Sequence, residues 1–112
     1  MSSSIVLSDV EESVEVGDNT AAELSKPYHL ILLDDNDHTA DYVVEMLGDL
    51  LGFSIEKAIE HTIEVDTRGH TRLATLPLAK AESKRDAIHG YGPDWRLPRC
   101  SGAMAALIEP AS

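Results

Sequence analysis

Residues 34–37 read Asp-Asp-Asn-Asp, between the apolar run "YHLILL" (28–33) and an amphipathic stretch beginning near Thr39. Carboxylates crowded this closely repel one another unless something positive sits among them. The mouth of a helix accounts for part of the cluster, because its exposed N–H groups favour negative charge. One of Asp35, Asn36 or Asp37 suffices as the cap, so the excess points to a site for a cation. Calcium is one candidate: with Asp34 as first ligand, Asn36 and His38 take the third and fifth positions and Glu45 the twelfth. A calcium loop needs Gly at its sixth position for the sharp turn, and Thr39 stands there. The histidines at 29, 38, 61, 70 and 89 are dispersed, without cysteine or carboxylate at ligand spacing, and read mostly as surface residues or local caps. No metal or cofactor is expected. His38 beside an aspartate has half the look of a hydrolytic dyad, but no Ser or Cys sits in a nucleophile context, which places an enzyme last among the readings. The other candidate cation is the α-ammonium group at the free N-terminus of another chain. It carries one charge and three donors, and so calls for several converging acceptors. An acidic rim beside an apolar hole would read both the amine and the first side chain.

The elements around the cluster follow from periodicity. "YHLILL" predicts a buried strand. Val43, Met46, Leu47 and Leu50 recur at helical spacing, with Ala40 a turn earlier, and predict a helix from Thr39 to Leu51, stopped by Gly52. Ser54 is a good cap for a second helix running to Glu64, with Glu56 in its first turn and Ile55, Ala58, Ile59, Thr62 and Ile63 inward. "DTRGH" (66–70) reads as a turn and "TRLATL" (71–76) as a strand ended by Pro77. Residues 79–91 predict a third helix, with Ala81, Lys84, Arg85 and Ile88 on one face. "GYGPDW" (90–95) reads as a loop and "GAMAALIE" (102–109) as the last strand. The order is βααβαβ, an α+β sandwich with three helices over one face of a three-stranded antiparallel sheet.

Composition sets the outer limits. The chain has 112 residues, enough for one small core, and a net charge of −11. That charge argues against nucleic acid and against anionic membrane surfaces, and suits cationic partners. The single cysteine, Cys100, cannot form an internal disulfide and reads as a loop or packing thiol, which fits a reducing, cytoplasmic compartment. Neither a signal-peptide pattern nor an apolar run of membrane-spanning length is visible. Residues 1–26 carry six acids against one base, Lys26, with no aromatic residue. They predict a disordered acidic extension ahead of a core at 27–112, although alternation in "SIVLSDVEESVEV" would also allow an added edge strand.

"YHLILLDDNDHTADYVVEML", then "EKA", "VDTRG" and "AESK", in this order and spacing, resemble the ClpS family, the adaptors of the Clp protease. "HGYGPDWRLPRCSGAMAALIEPA" resembles the tail of a divergent branch of that family, so the likeness covers residues 27–109. The resemblance implies the βααβαβ fold, no catalysis, and a pocket for destabilising N-terminal residues of substrates delivered to a Clp-type AAA+ unfoldase. Carried over position by position, it implies that Asp34, Asp35 and Asp66 bind the α-amine. His38, Ala40, Val43, Thr62, Val65 and Met104 would line the side-chain pocket, and Glu82 and Lys84 would contact the chaperone. Without the resemblance, Val43, Val65 and Met104 read as core and Asp66 as the opening of a turn. The chain has Asp34 where the family usually has Asn, Asp66 where it has His, Asn36 for the second Asp, and Ala40 and Thr62 where Met is common. Those departures imply a wider, more polar and more acidic pocket. The alternative is a regulator that occupies the unfoldase without reading N-terminal residues.

Overall fold

Leu30 and Leu32 are fully buried and Ile31 between them nearly so, which fits a strand flanked by a neighbour on each edge. They belong to β1 (Pro27–Leu33), the middle strand of the sheet. The computed structural model describes residues 21–35, 37–97 and 102–111. In it, β2 (His70–Pro77) and β3 (Ala106–Pro110) pair antiparallel with opposite edges of β1. The β1–β2 register shifts between Leu30 and Ile31. Three helices complete the predicted α+β order from β1 onward: α2 (Ala40–Leu51), α3 (Ile55–Arg68) and α4 (Leu78–His89). A short helix, α1 (Ala21–Ser25), precedes β1 and packs on α4. Of the extension expected at residues 1–26, residues 1–20 lie outside the described residues. Residues 21–25 are helical rather than irregular, because Leu24 supplies an apolar side chain to half-bury.

The periodicity of α2 turns Tyr42, Val43, Met46 and Leu47 onto Leu30 and Leu32 of β1. Thr39 caps its start, accepting from the Tyr42 N–H at 3.1 Å. Gly52 ends it at φ 69°, a left-handed conformation that glycine adopts without strain, and its N–H reaches the Gly48 carbonyl at 3.1 Å. Ser54 caps α3 through the Lys57 N–H at 3.1 Å, as predicted.

Three expectations fail here for physical reasons. First, α3 continues through Asp66, Thr67 and Arg68, and the turn comes only at Gly69, whose N–H returns to the Val65 carbonyl at 2.9 Å. Second, Ile55, Ile59 and Ile63 do not point inward but are 67%, 43% and 58% exposed. Ala58 and Val65 form the buried row, and each four-residue step turns about 40° around the helix, so the isoleucines climb away from it. Third, the last strand begins at Ala106, not at 102, because the Gly102 carbonyl accepts from His38 instead of joining the ladder. α4 buries Ala81 and Ile88 as predicted. Among the described residues no helix is long and apolar enough to cross a membrane.

Candidate functional site

The acidic loop leaves β1 beside the end of α3. The Asp34 N–H donates to the Gly69 carbonyl at 2.9 Å, and the Leu33 N–H donates to the Ala105 carbonyl at 3.0 Å. These two bonds bring the loop, the last turn of α3 and the segment before β3 together. The result is a cleft of about 270 Å³ lined by Asp34, Asp35, His38, Thr39, Ala40 and Val43 on the loop and α2. Thr62, Ile63, Val65 and Asp66 face it from α3, and Met104 from the segment before β3. All nine residues named from the sequence for amine and side-chain binding share this cleft. Thr39 and Ile63 were not among them. Asn36 lies outside the described residues.

The lining divides by chemistry. Val43, Val65 and Met104 are buried and form an apolar floor. Asp34 and Asp66 are exposed, and Asp35 is half-buried. Asp66 stands in the last turn of α3, where the helix dipole already favours positive charge, and Arg68 beside it is engaged by Glu64 at 3.1 Å. An acid at that point is unfavourable for the helix and raises the local attraction for a cation. The Thr62 hydroxyl donates to the Ala58 carbonyl at 2.7 Å, so it brings no unmet donor to the apolar wall.

Asp35 is held from two sides. It accepts from the Asp37 N–H at 2.9 Å, and the Nδ1 of His38 lies 2.9 Å from each of its oxygens. The other ring nitrogen of His38 lies 2.7 Å from the Gly102 carbonyl. Both ring nitrogens therefore face acceptors, and only the imidazolium donates to both. Burial alone would lower the pKa of His38. The hydrogen bonds to Asp35 and Gly102, with the charges of Asp35 and Asp94, outweigh it and raise the pKa above the ordinary 6.5. His38 is thus a wall of the cleft and also the clamp that orients Asp35. Neither Asp35 nor Asp37 caps α2, contrary to expectation, and Asn36 lies outside the described residues. Thr39 caps the helix, and Asp94 supports it.

Asp94 is the residue that sequence reasoning missed. It is 1% exposed and accepts from the Thr39 N–H at 2.8 Å and the Thr39 hydroxyl at 2.7 Å. It also accepts from the Arg96 N–H at 3.0 Å and guanidinium at 3.1 Å, and Arg96 reaches on to Glu45 of α2 at 2.6 Å. Burial pushes the Asp94 carboxyl up, but these donors override it and hold it well below the usual carboxylate range. The only sequence signal was an acid in a Gly-Pro-rich loop, which ordinarily marks a turn.

On α4, Glu82 is exposed, while Lys84 is half-buried and donates to the Leu50 carbonyl at 2.8 Å, tying the end of α2 to α4. Among the described residues no three His, Cys, Asp or Glu side chains converge as a metal site.

Residues 23–94 match the model of the family described as ATP-dependent Clp protease adaptor protein ClpS. The ATP-dependent Clp protease adapter protein ClpS of Nautilia profundicola is 31% identical over 80 residues, covering 71% of this chain and 76% of its own length. Among solved structures, Agrobacterium tumefaciens ClpS2 bound to L-phenylalaninamide superposes with a TM-score of 0.66 at 19% identity, covering 77% of this chain and 98% of that one. The structural likeness shows the shared fold. The family match, spanning most of the chain, shows that this protein belongs to the ClpS family of Clp protease adaptors and is an adaptor rather than an enzyme.

Proposed function

We propose that the cleft binds the free N-terminal residue of substrate proteins, which the adaptor passes to a Clp-type AAA+ unfoldase. Asp34, Asp35 and Asp66 take the α-ammonium group. His38, Ala40, Val43, Thr62, Val65 and Met104 receive the side chain. The observation that carries this reading is the joining of an acidic rim and an apolar floor in one cleft from three separated stretches of sequence. An α-ammonium next to a bulky apolar side chain is complementary to both parts. A protein of the same fold, ClpS2 of A. tumefaciens, is bound to L-phenylalaninamide, which has that combination of groups. Glu82 and Lys84 on α4 contribute to the unfoldase contact, with Lys84 serving α2 as well.

The reading is tested with one peptide in two forms, differing only in N-acetylation. Acetylation removes the charge and leaves a single donor. A charge-assisted hydrogen bond contributes about 1.5–3 kcal/mol, so binding is expected to weaken by roughly tenfold or more. Equal binding of the two forms would overturn the assignment and favour a regulator that acts without reading N-termini.

A further inference from the structure

Of the five exposed large hydrophobic residues among the described residues, three are Ile55, Ile59 and Ile63. They are spaced by four along α3 and make one row. Single exposed apolar side chains are ordinary, whereas an aligned and contiguous row marks an interaction surface. One end of this row is the cleft itself, because Ile63 lines it. Thr62 and Asp66, which also line the cleft, fall on the same side of α3 as the row. The row runs about 12 Å from Ile63 back to Ile55, the reach of roughly four extended residues. Exposed Glu56 and Glu60 lie beside it.

We propose that this row is the docking surface for the residues of the substrate that follow its N-terminal residue. The inference rests on the cleft holding that first residue. A chain anchored in the cleft lies against Ile63, and from there the row offers continuous apolar contact over the length of the next few residues. The occupant it fits is an extended segment with apolar side chains at positions two to four and without acids, since Glu56, Glu60 and Asp66 repel carboxylates. The protein would then read a short N-terminal segment, with the first residue as its anchor.

The test uses the full chain and three ligands: phenylalaninamide, a peptide beginning Phe-Ile-Leu-Val, and one beginning Phe-Gly-Ser-Gly. Wild type is compared with the Ile55→Ser/Ile59→Ser double variant. Both side chains are exposed, so the variant should retain its fold, which its melting temperature checks. Ile63 is left in place because it lines the cleft. The wild type should prefer the apolar tail by roughly tenfold, and the variant by about twofold or less, with affinity for the Gly-Ser tail unchanged. A variant that keeps the full preference overturns the proposal. Failure of phenylalaninamide to bind would instead refute the cleft reading, so the two failures are distinguishable. Two further results overturn the proposal by assigning the row elsewhere. One is wild-type self-association that the variant abolishes while tail preference is absent. The other is loss of unfoldase binding with peptide affinities unaltered.

Discussion

Ala40 is exposed on the first turn of α2 and is among the residues that line the cleft, where a small side chain leaves more room than a longer one would. The Thr62 hydroxyl, already bonded to the Ala58 carbonyl, does not offset that openness with a polar demand. Breadth is therefore expected, with weak discrimination among Leu, Ile, Phe and Tyr as first residue. Ala40→Met should narrow the mouth and turn away the β-branched Ile relative to Leu by about 1–3 kcal/mol, the scale of a steric mismatch in an apolar pocket. Titration of Ile- and Leu-started peptides against both forms checks this, and an unaltered ratio would remove residue 40 from the pocket. His38 carries a second prediction. Its folded pKa lies above 6.5, so the stability it contributes is complete below that value and declines as pH rises through the folded pKa. His61 behaves oppositely: burial holds its pKa below 6.5 as it stacks on Phe53. NMR titration should therefore place the two imidazoles on opposite sides of 6.5, and Asp35→Asn should pull His38 down. His38 titrating below His61 would mean that the Asp35–His38–Gly102 chain does not hold in solution.

At the scale of elements, the start of α2 is built from both ends of the sequence. The loop after α4 supplies Asp94 to Thr39, and the Gly92 carbonyl accepts from the Tyr42 hydroxyl at 2.6 Å. Tyr91 meets Tyr42 edge-on at 5.5 Å. The helix mouth that presents His38 and Ala40 to the cleft is thus clamped by residues that are not among those lining it. Asp94→Ala leaves the Thr39 N–H and the Arg96 guanidinium without a buried partner. The melting temperature should fall by about 10 °C, and peptide affinity should weaken with it as the mouth loosens. Because the folded pKa of Asp94 is depressed, its contribution is present above the unfolded value near 3.8 and is lost only as pH falls through the folded one. The wild-type advantage over Asp94→Ala should therefore persist at pH 5. Its disappearance there would contradict the clasp.

For the whole molecule, the net charge of −11 is distributed unevenly. Residues 1–20 hold five acids, Asp9, Glu11, Glu12, Glu15 and Asp18, with no Lys, Arg, His or aromatic residue. A stretch of that composition has little apolar surface to contribute to a core and much charge to offer a partner. Deletion of residues 2–20 is expected to leave the melting temperature nearly unchanged while abolishing delivery of a Phe-started fluorescent protein to the Clp protease. Differential scanning fluorimetry and a degradation time course measure the two effects. A large loss of stability would show that the extension packs on the domain.

The amino-acid sequence by itself determined the order of elements from β1 onward, the cap at Ser54 and the stop at Gly52, since these depend on local periodicity and on backbone conformations few residues tolerate. It also carried the residues of the cleft, though only through the family pattern. Nothing local distinguishes Val65 or Met104 in a pocket floor from the same residues in a core. The tertiary structure decided which side of α3 is buried. Apolar spacing of three or four defines a helical face, but Ala58 and Val65 compete with Ile55, Ile59 and Ile63 for that face, and only the sheet and α2 packed against it choose between them. Tertiary structure also decided the roles of Asp94 and His38. Their partners Thr39 and Gly102 are 55 and 64 residues away along the chain, and no local pattern encodes a hydrogen bond across that separation.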